Sequence, residues 1–250
     1  LRMVAKVVTV FGGSGFVGRQ VVRELARIGC RVRVAVRFPD TASDLKPMGD
    51  VGQIIPIACN IRQESSVARA LDGADSVINL VGILYESGTQ TFDAVHHQGA
   101  ARIARVAKAA GISNFIQMSA LGVAPDSPAQ YARSKAAGEA AVRAEIPEAI
   151  VVRPSVIFGP EDSFFNRFAS IMRITPLLPL IGGGEQKFQP VYVGDVADAI
   201  VKALTDSSAA GRTYELCGPT VYSFKELMEL VMSETGRHVG LVPVPFELAR

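Results

Sequence analysis

Tyr131 and Lys135 stand four residues apart in the run Tyr131-Ala132-Arg133-Ser134-Lys135. In a helix that spacing sets both side chains on one face, one turn apart. A tyrosine titrates near a pKa of about 10, and a neighbouring ammonium stabilises its phenolate. Such a pair can pass a proton to or from a substrate oxygen while a nicotinamide carries the hydride. The lysine can also hydrogen-bond the nicotinamide ribose. Tyr-x-x-x-Lys is common on helix surfaces, so its meaning depends on what the chain places beside it.

The chain begins with what a dinucleotide needs. Gly12, Gly15 and Gly18 are spaced by three in Gly12-Gly13-Ser14-Gly15-Phe16-Val17-Gly18, and the stretch from Val4 leads into them through Val7, Val8 and Val10. A buried strand, a tight turn and then a helix aimed at a pyrophosphate is the predicted arrangement. Glycines let backbone N–H groups approach the phosphates, and the helix dipole favours the negative charge. An ordinary glycine-rich turn is the alternative; a strand before and a helix after favour the dinucleotide.

The end of the second strand selects between nucleotides. An acidic residue there would bind the ribose 2′-OH of NAD, whereas an arginine accommodates the 2′-phosphate of NADP. Here Ala35-Val36-Arg37-Phe38 offers Arg37, and Asp40 lies beyond Pro39, out of register. A solvated surface arginine is the competing reading; NADP(H) is favoured over NAD(H). Two later strand ends agree. Cys59-Asn60-Ile61 offers a polar side chain to adenine, and Asn79-Leu80-Val81-Gly82 ends in a glycine that lets backbone approach the cofactor.

Positioning these residues requires alternating strands and helices. Val17, Val21, Val22, Leu25 and Ile28 recur at helical spacing and Gly29 stops that helix. Strands are predicted at Arg31 to Val36, Gln53 to Ala58, Ser76 to Val81, Asn114 to Met118 and Ala149 to Val152. Helices are predicted at Ser65 to Leu71, Thr91 to Ala110 and Tyr131 to Glu145. This order implies right-handed crossovers and an α/β fold, a Rossmann-type doubly wound parallel sheet. After Ser155 the rhythm breaks. A helix at Phe164 to Ile174, a Pro/Gly-rich loop at Thr175 to Gly184, a strand at Phe188 to Val193 and a helix at Asp195 to Leu204 follow. Tyr214 to Cys217, a helix at Ser223 to Thr235 and the Val-Pro run Val239 to Pro245 come next, and Phe246 to Arg250 begins like a helix. One domain, 1–250, is expected, with a small cap lobe from 155–190 and 217–250 supplying substrate contacts.

The chain has 250 residues, 26 Lys and Arg against 24 Asp and Glu, so no global field recruits nucleic acid. Cys30, Cys59 and Cys217 lie far apart, without metal-ligand spacing, and their odd number argues against a disulfide framework. A reducing compartment is expected. His96 and His97 lack acidic or thiol partners at ligand spacing and read as polar helix surface, with no metal. No presequence is visible and no apolar run approaches the ~20 residues of a membrane span. Ile171 to Gly184 is the most apolar patch, broken by Arg173, Pro176 and Pro179. Within it, Ile174 to Gly184 reads as a lid, as a buried loop, or as a docking surface for a partner or a membrane.

The glycine turn, Tyr131 to Lys135, Arg153-Pro154-Ser155-Val156-Ile157-Phe158-Gly159-Pro160 and Val191-Tyr192-Val193-Gly194-Asp195-Val196-Ala197 together resemble the extended or atypical short-chain dehydrogenase/reductase superfamily. More narrowly, Pro47 to Gln53, Val77 to Gly82, Pro147 to Pro154 and Phe164 to Ala169 are similar to one branch. That branch is the nucleotide-binding accessory subunits of respiratory complex I, NADH:ubiquinone oxidoreductase, and their bacterial relatives. The resemblance implies a nucleotide held by Gly12, Gly13, Ser14, Gly15, Phe16, Val17, Gly18 and Arg37, with Asn60 and Ile61 near adenine. It implies Leu80, Val81 and Gly82 near the ribose, Met118, Ser119, Tyr131 and Lys135 at the nicotinamide side, and Pro154 and Val156 beside the ring. Active members carry a Ser or Thr hydroxyl at the end of the fifth strand. Here Gln117-Met118-Ser119-Ala120-Leu121 puts Ala120 in that position; a one-residue shift would restore Ser119 as a third catalytic group.

Two main functions follow. One is a subunit holding NADP(H) structurally and docked on other complex I subunits; the other is a free-standing oxidoreductase or epimerase acting on a small carbonyl or sugar nucleotide. A sensor of the NADP/NADPH ratio is a third. A cytoplasmic location, peripheral on a bacterial inner membrane, is expected, or the mitochondrial matrix in a eukaryote.

Overall fold

In the computed structural model, which describes residues 6–245, seven parallel strands form one sheet. The expected strand start at Val4 and the helix start at Phe246 to Arg250 lie outside those residues. In chain order the first unit runs β1 (Val7–Phe11), α1 (Phe16–Arg27), β2 (Arg31–Val36), β3 (Ile54–Ala58), α2 (Glu64–Leu71), β4 (Ser76–Asn79), α3 (Gln98–Ala109), β5 (Phe115–Met118), α4 (Gln130–Glu145) and β6 (Ile150–Pro154). The second unit then contributes β7 (Ile157–Phe158), α5 (Phe165–Ile174), β8 (Leu177–Ile181), β9 (Lys187–Phe188) and β10 (Val191–Tyr192). The chain continues with α6 (Val193–Thr205) and β11 (Thr213–Leu216), then β12 (Tyr222–Ser223), α7 (Phe224–Thr235) and β13 (Gly240–Val244). One compact unit runs to Pro154 and takes in Gly194–Leu216; the other holds Ser155–Val193 and the chain from Cys217.

The sheet order is β11-β6-β5-β4-β1-β2-β3, the predicted doubly wound fold. The inner strands β1, β4, β5 and β6 are almost wholly buried on both faces, as parallel strands covered by helices must be, while the edge strands β3 and β11 are partly exposed. Val8, Val10 and Phe11 of β1 are almost fully buried, and so are Val32 and Val34 of β2. Alanines of α3 allow close packing: Ala100, Ile103, Ala104 and Ala107 share one core cluster with Phe11, Phe115 and Val142. The strand order reverses between β1 and β4, and in such sheets ligands bind outside the carboxyl ends at that switch point. Buried polar groups hold this end in shape. Asn79 Nδ2 donates to Gln117 Oε1 (2.9 Å), and Asn79 Oδ1 accepts the Val81 N–H (3.2 Å).

Two readings of the sequence need correction here. The loop expected at Thr175 to Gly184 contains β8, paired in parallel with β13 across Leu177↔Gly240 to Ile181↔Val244. Its prolines do not prevent this, because Pro179 sits on the exposed face of an edge strand while Leu178 and Leu180 point into the core of the second unit. The strand expected at Phe188 to Val193 is two short strands, β9 and β10, and α6 already starts at Val193.

In the second unit, α5 and α7 enclose Met172, Leu227, Met228 and Val231, with Phe164, Phe168, Phe188 and Phe224 in edge or tilted contact around them. Ser223 caps α7 through a reciprocal capping box with Glu226, and Gly236 ends it in the left-handed conformation. No helix among the described residues is long and apolar enough to cross a membrane.

Candidate functional site

The turn after β1 is built around absent side chains. Gly12 has φ +75°, and a Cβ there would lie 3.2 Å from the backbone of Leu80 and Val81. A Cβ on Gly18 would collide with the Gly12 carbonyl oxygen and sit 2.6 Å from the Gly13 Cα. The first turn of α1 is therefore pressed onto the loop, with Phe16 and Val17 in that turn and Val17 in the core. No side chain caps this helix start and no acidic residue lies in its first turn, which leaves a positive helix end for an anion.

A cleft of about 340 Å³ opens beside this turn. Gly12, Ser14 and Gly15 line it, as do Arg37, Asn60, Ile61, Leu80, Val81 and Gly82. These nine expected nucleotide contacts thus come together at the carboxyl ends of β1 to β4. No acidic side chain lines the cleft, and its two cations are Arg37 and Arg62. Asp40 is not part of its wall. Arg37 lies over the Phe38 ring at 6.0 Å, and the exposed Phe38 lines the cleft with it. Asn60 Oδ1 accepts the backbone N–H of Arg62 (3.1 Å), which leaves its Nδ2 donor for a ligand. Arg62 in turn donates to Thr89 Oγ1 (2.6 Å), bracing the loop that closes this side. These residues fit an adenosine with its phosphates: a glycine cradle, an open helix end and two guanidinium groups.

The Gly82 end of the cleft meets the second group of residues. A Cβ on Gly82 would lie 3.1 Å from Lys135 Nζ, so the glycine lets the ammonium reach the cleft wall. Lys135 is buried and donates to the Met118 carbonyl (3.4 Å). Burial pushes its pKa down to about 8, and the Glu139 carboxylate one turn further along α4 opposes that shift. Glu139 is itself buried and pairs with Arg153 through both oxygens (2.9 and 2.7 Å). Tyr131 lies one turn before Lys135, and burial raises its pKa. The expected stabilisation of its phenolate by the ammonium is thus not the dominant effect; desolvation is.

Ser119 is 3% exposed, and its hydroxyl has no hydrogen-bond partner among the described residues. Its backbone N–H donates to Val152 (2.7 Å), fixing it within the sheet. Ala120, half-buried, carries no hydroxyl. Gly13 and Gly18 serve the packing of the turn, and Pro154 ends β6, its carbonyl accepting the Leu121 N–H (2.9 Å). Val156 belongs to the second unit, where its carbonyl accepts the Val191 N–H (2.9 Å).

One residue of this region was read wrongly from sequence. His96, expected on polar helix surface, is 2% exposed. Its Nε2 accepts the Ile83 N–H (3.0 Å) and its Nδ1 lies 2.9 Å from Ser134 Oγ, which donates to the Tyr131 carbonyl (2.8 Å). This chain closes only for a neutral ring protonated on Nδ1. Burial, with the Lys135 charge behind it, lowers the pKa of His96 to about 3, so the neutral form is the stable one. The ring also stands edge-on to Tyr131 at 5.3 Å and stacks on Phe92 at 5.4 Å. A π-helical turn, Asp93–His97, delivers it there. The signal was present in sequence: His96 lies four residues before Ala100 and seven before Ile103, at helical spacing ahead of the buried stripe of α3. His97 does lie at the surface, half-exposed, but contrary to the sequence reading it has an acidic partner, Asp93 one turn earlier (2.8 Å). Arg62 and Phe38 were also missed, because loop side chains carry no periodic signal.

Comparison with known proteins gives the chain's family and supports its fold. The chain is 43% identical over 247 residues to the mitochondrial NADH dehydrogenase (ubiquinone) 1 alpha subcomplex subunit 9 of Arabidopsis thaliana, covering 98% of this chain and 61% of that protein. The subunit of the same name from Dictyostelium discoideum is 38% identical over 240 residues, covering 95% of this chain and 67% of its own. The chain thus spans about three fifths to two thirds of the length of these relatives. Among solved structures, a double mutant of DesIV, a dTDP-glucose 4,6-dehydratase from Streptomyces venezuelae with NAD and DAU bound, superposes with a TM-score of 0.80. It is 22% identical and is matched over 95% of this chain and 84% of its own, which supports the fold. Residues 8–217 match the model of one family across both the glycine turn and the Tyr131–Lys135 helix, and the chain belongs to that NAD dependent epimerase/dehydratase family.

Proposed function

We propose that this chain binds NADP(H) as a structural group and serves as an accessory subunit of an NADH:ubiquinone oxidoreductase. The observation that carries this is the division of the site: the cleft is complete for binding and incomplete for carbonyl chemistry. Arg37 and Arg62 give it two cations and no carboxylate, which suits the 2′-phosphate. In support of the binding role over carbonyl chemistry, Ala120 has no hydroxyl and that of Ser119, just past β5, is buried. A nucleotide placed here meets Lys135 at Gly82, where the ammonium would hold ribose hydroxyls. The nicotinamide would supply hydride chemistry when bound, and this chain's residues would orient it rather than complete a reaction. Similarity to complex I subunits from a plant and an amoeba supports a place among other subunits, peripheral to a membrane. Ile174, Leu177 and Ile181, exposed on the outer edge of α5 and β8, are the surface we assign to docking on a partner subunit or the membrane.

The test is to purify the protein without added nucleotide, denature it and identify what is released. Stoichiometric NADPH that stays reduced when carbonyl compounds are added is the expected result. An empty site, or one that holds NAD(H) alone, overturns the assignment. One observation favours a free-standing oxidoreductase or epimerase as the second reading: Lys135, held at a pKa of about 8, lies one turn from Tyr131. That reading requires Tyr131→Phe to abolish a measurable turnover.

A further inference from the structure

We propose that the second unit carries a binding site for the hydrocarbon chain of an amphiphile whose head group bears hydrogen-bond donors and no phosphate. This goes beyond the nucleotide reading and does not rest on it, because every lining residue belongs to the second unit. The site is a hollow of about 500 Å³ between two helix faces. Phe165 and Ala169 of α5 face it at helical spacing, as do Leu227, Leu230 and Val231 of α7. Helices with such stripes normally close on each other. Here the inner sides of the two helices share one core with Met172 and Met228, while Phe165, Ala169, Leu227, Leu230 and Val231 also line the hollow and give it aromatic and aliphatic walls. Its volume suits a chain on the order of a dozen methylenes.

The charges select the head group. Two carboxylates line the hollow, Asp162 and Glu234, and no lysine, arginine or histidine does. Asp162 is buried and spends its oxygens on the N–H groups of Phe165 (2.6 Å) and Asn166 (3.4 Å) and on the Asn166 amide (3.4 Å). It holds the start of α5 and keeps the floor negative. Glu234 is exposed and has no ion-pair or hydrogen-bond partner among the described residues. A phosphate here would face two carboxylates with no cation to balance it, so a sugar nucleotide is rejected by charge. A hydroxyl or amine head, by contrast, can donate to the Glu234 carboxylate in place of water.

The test is calorimetric titration of the full chain, with whatever nucleotide it carries, using dodecylamine, dodecyl phosphate and UDP-glucose below any micelle concentration. Dodecylamine should bind at one site at least about tenfold more tightly than dodecyl phosphate, and UDP-glucose should neither bind in the hollow nor displace it. Leu230→Trp fills the bowl from an exposed position (42% exposed) and should weaken the amine about tenfold or more. Glu234→Lys, also at the surface, should reverse the preference in favour of the phosphate. Unchanged melting temperatures of both variants show that the fold is kept. Equal binding of amine and phosphate, insensitivity to Leu230→Trp, displacement by UDP-glucose, or no saturable binding each overturns the proposal. Nucleotide content, measured on the same samples, reports separately on the first unit.

Discussion

His96→Phe separates the two services of this imidazole, since the phenyl ring keeps the edge contact with Tyr131 and the stack on Phe92 but makes no hydrogen bond. Ile83 N–H and Ser134 Oγ each lose a partner at a part-buried or buried position. Two lost hydrogen bonds plus the desolvation of a stranded N–H come to about 3 kcal/mol at pH 7. Acid changes that figure in a calculable way. In the unfolded chain the ring takes a proton at its ordinary pKa of 6.5, whereas in the fold it resists protonation down to about 3. Between those values the unfolded state binds more protons, so the contribution of His96 is complete above pH 6.5 and drains away as pH falls. At pH 5 the loss is about 2 kcal/mol, from 1.5 pH units at 1.36 kcal/mol each. The gap between wild type and His96→Phe should therefore shrink from about 3 to about 1 kcal/mol between pH 7 and pH 5. The chain has no tryptophan, so urea unfolding is followed by far-ultraviolet circular dichroism at both pH values. His96→Asn, able to accept from Ile83 but not to titrate in this range, should recover part of the stability at pH 7 and show no such pH dependence of its own. A gap of equal size at the two pH values would refute the neutral, doubly bonded histidine.

Lys135→Met should raise stability at pH 7 by about 1–3 kcal/mol, because a charge that burial holds at a pKa of about 8 is removed, while NADPH affinity falls about tenfold or more; urea melts and nucleotide fluorescence measure the two. For wild type the sign is fixed by the lowered pKa: stability rises as pH climbs from about 8 towards 10.5, since the unfolded lysine keeps its proton longer, and Lys135→Met should lack that rise. Arg37→Ser should weaken NADPH by about 1.5–3 kcal/mol, the worth of a charge-assisted hydrogen bond, and leave NADH unchanged; equal losses for both nucleotides would place the guanidinium away from the 2′-phosphate. Gly18→Ala should cost about 1–3 kcal/mol and abolish nucleotide binding, as its methyl would meet backbone rather than a side chain that can turn away. Gly29→Ala is the comparison: with φ +85° and open space around it, strain of about 1 kcal/mol is expected, with binding intact.

The sheet was legible because each strand carries its own statement of burial. Val7 to Phe11 and Arg31 to Val36 are β-branched runs closed by glycine or helix signals, and a parallel sheet asks for little more. The cleft was legible for a related reason: in a doubly wound fold, the residues after successive strands converge at one edge, so Gly12, Arg37, Asn60 and Gly82 could be placed from order alone. What failed was inference from residue type. Prolines and glycines suggested a loop at Thr175 to Gly184, and the uniformly apolar Leu177 to Ile181 shows no alternation of residue type; pairing with β13 makes it a strand, with Leu178 and Leu180 buried between exposed neighbours. A histidine in an alanine-rich helix suggested solvent, yet its phase put it on the buried face, where its two nitrogens join the loop after β4 to the helix of Tyr131 and Lys135. Periodicity reports which side of an element loses water. It does not report which polar partners wait there, and Ile83 N–H and Ser134 Oγ come from segments 13 and 38 residues away. Cleft geometry can therefore be read from strand order, whereas the bonds that hold its two halves in register emerge only once distant segments are brought together.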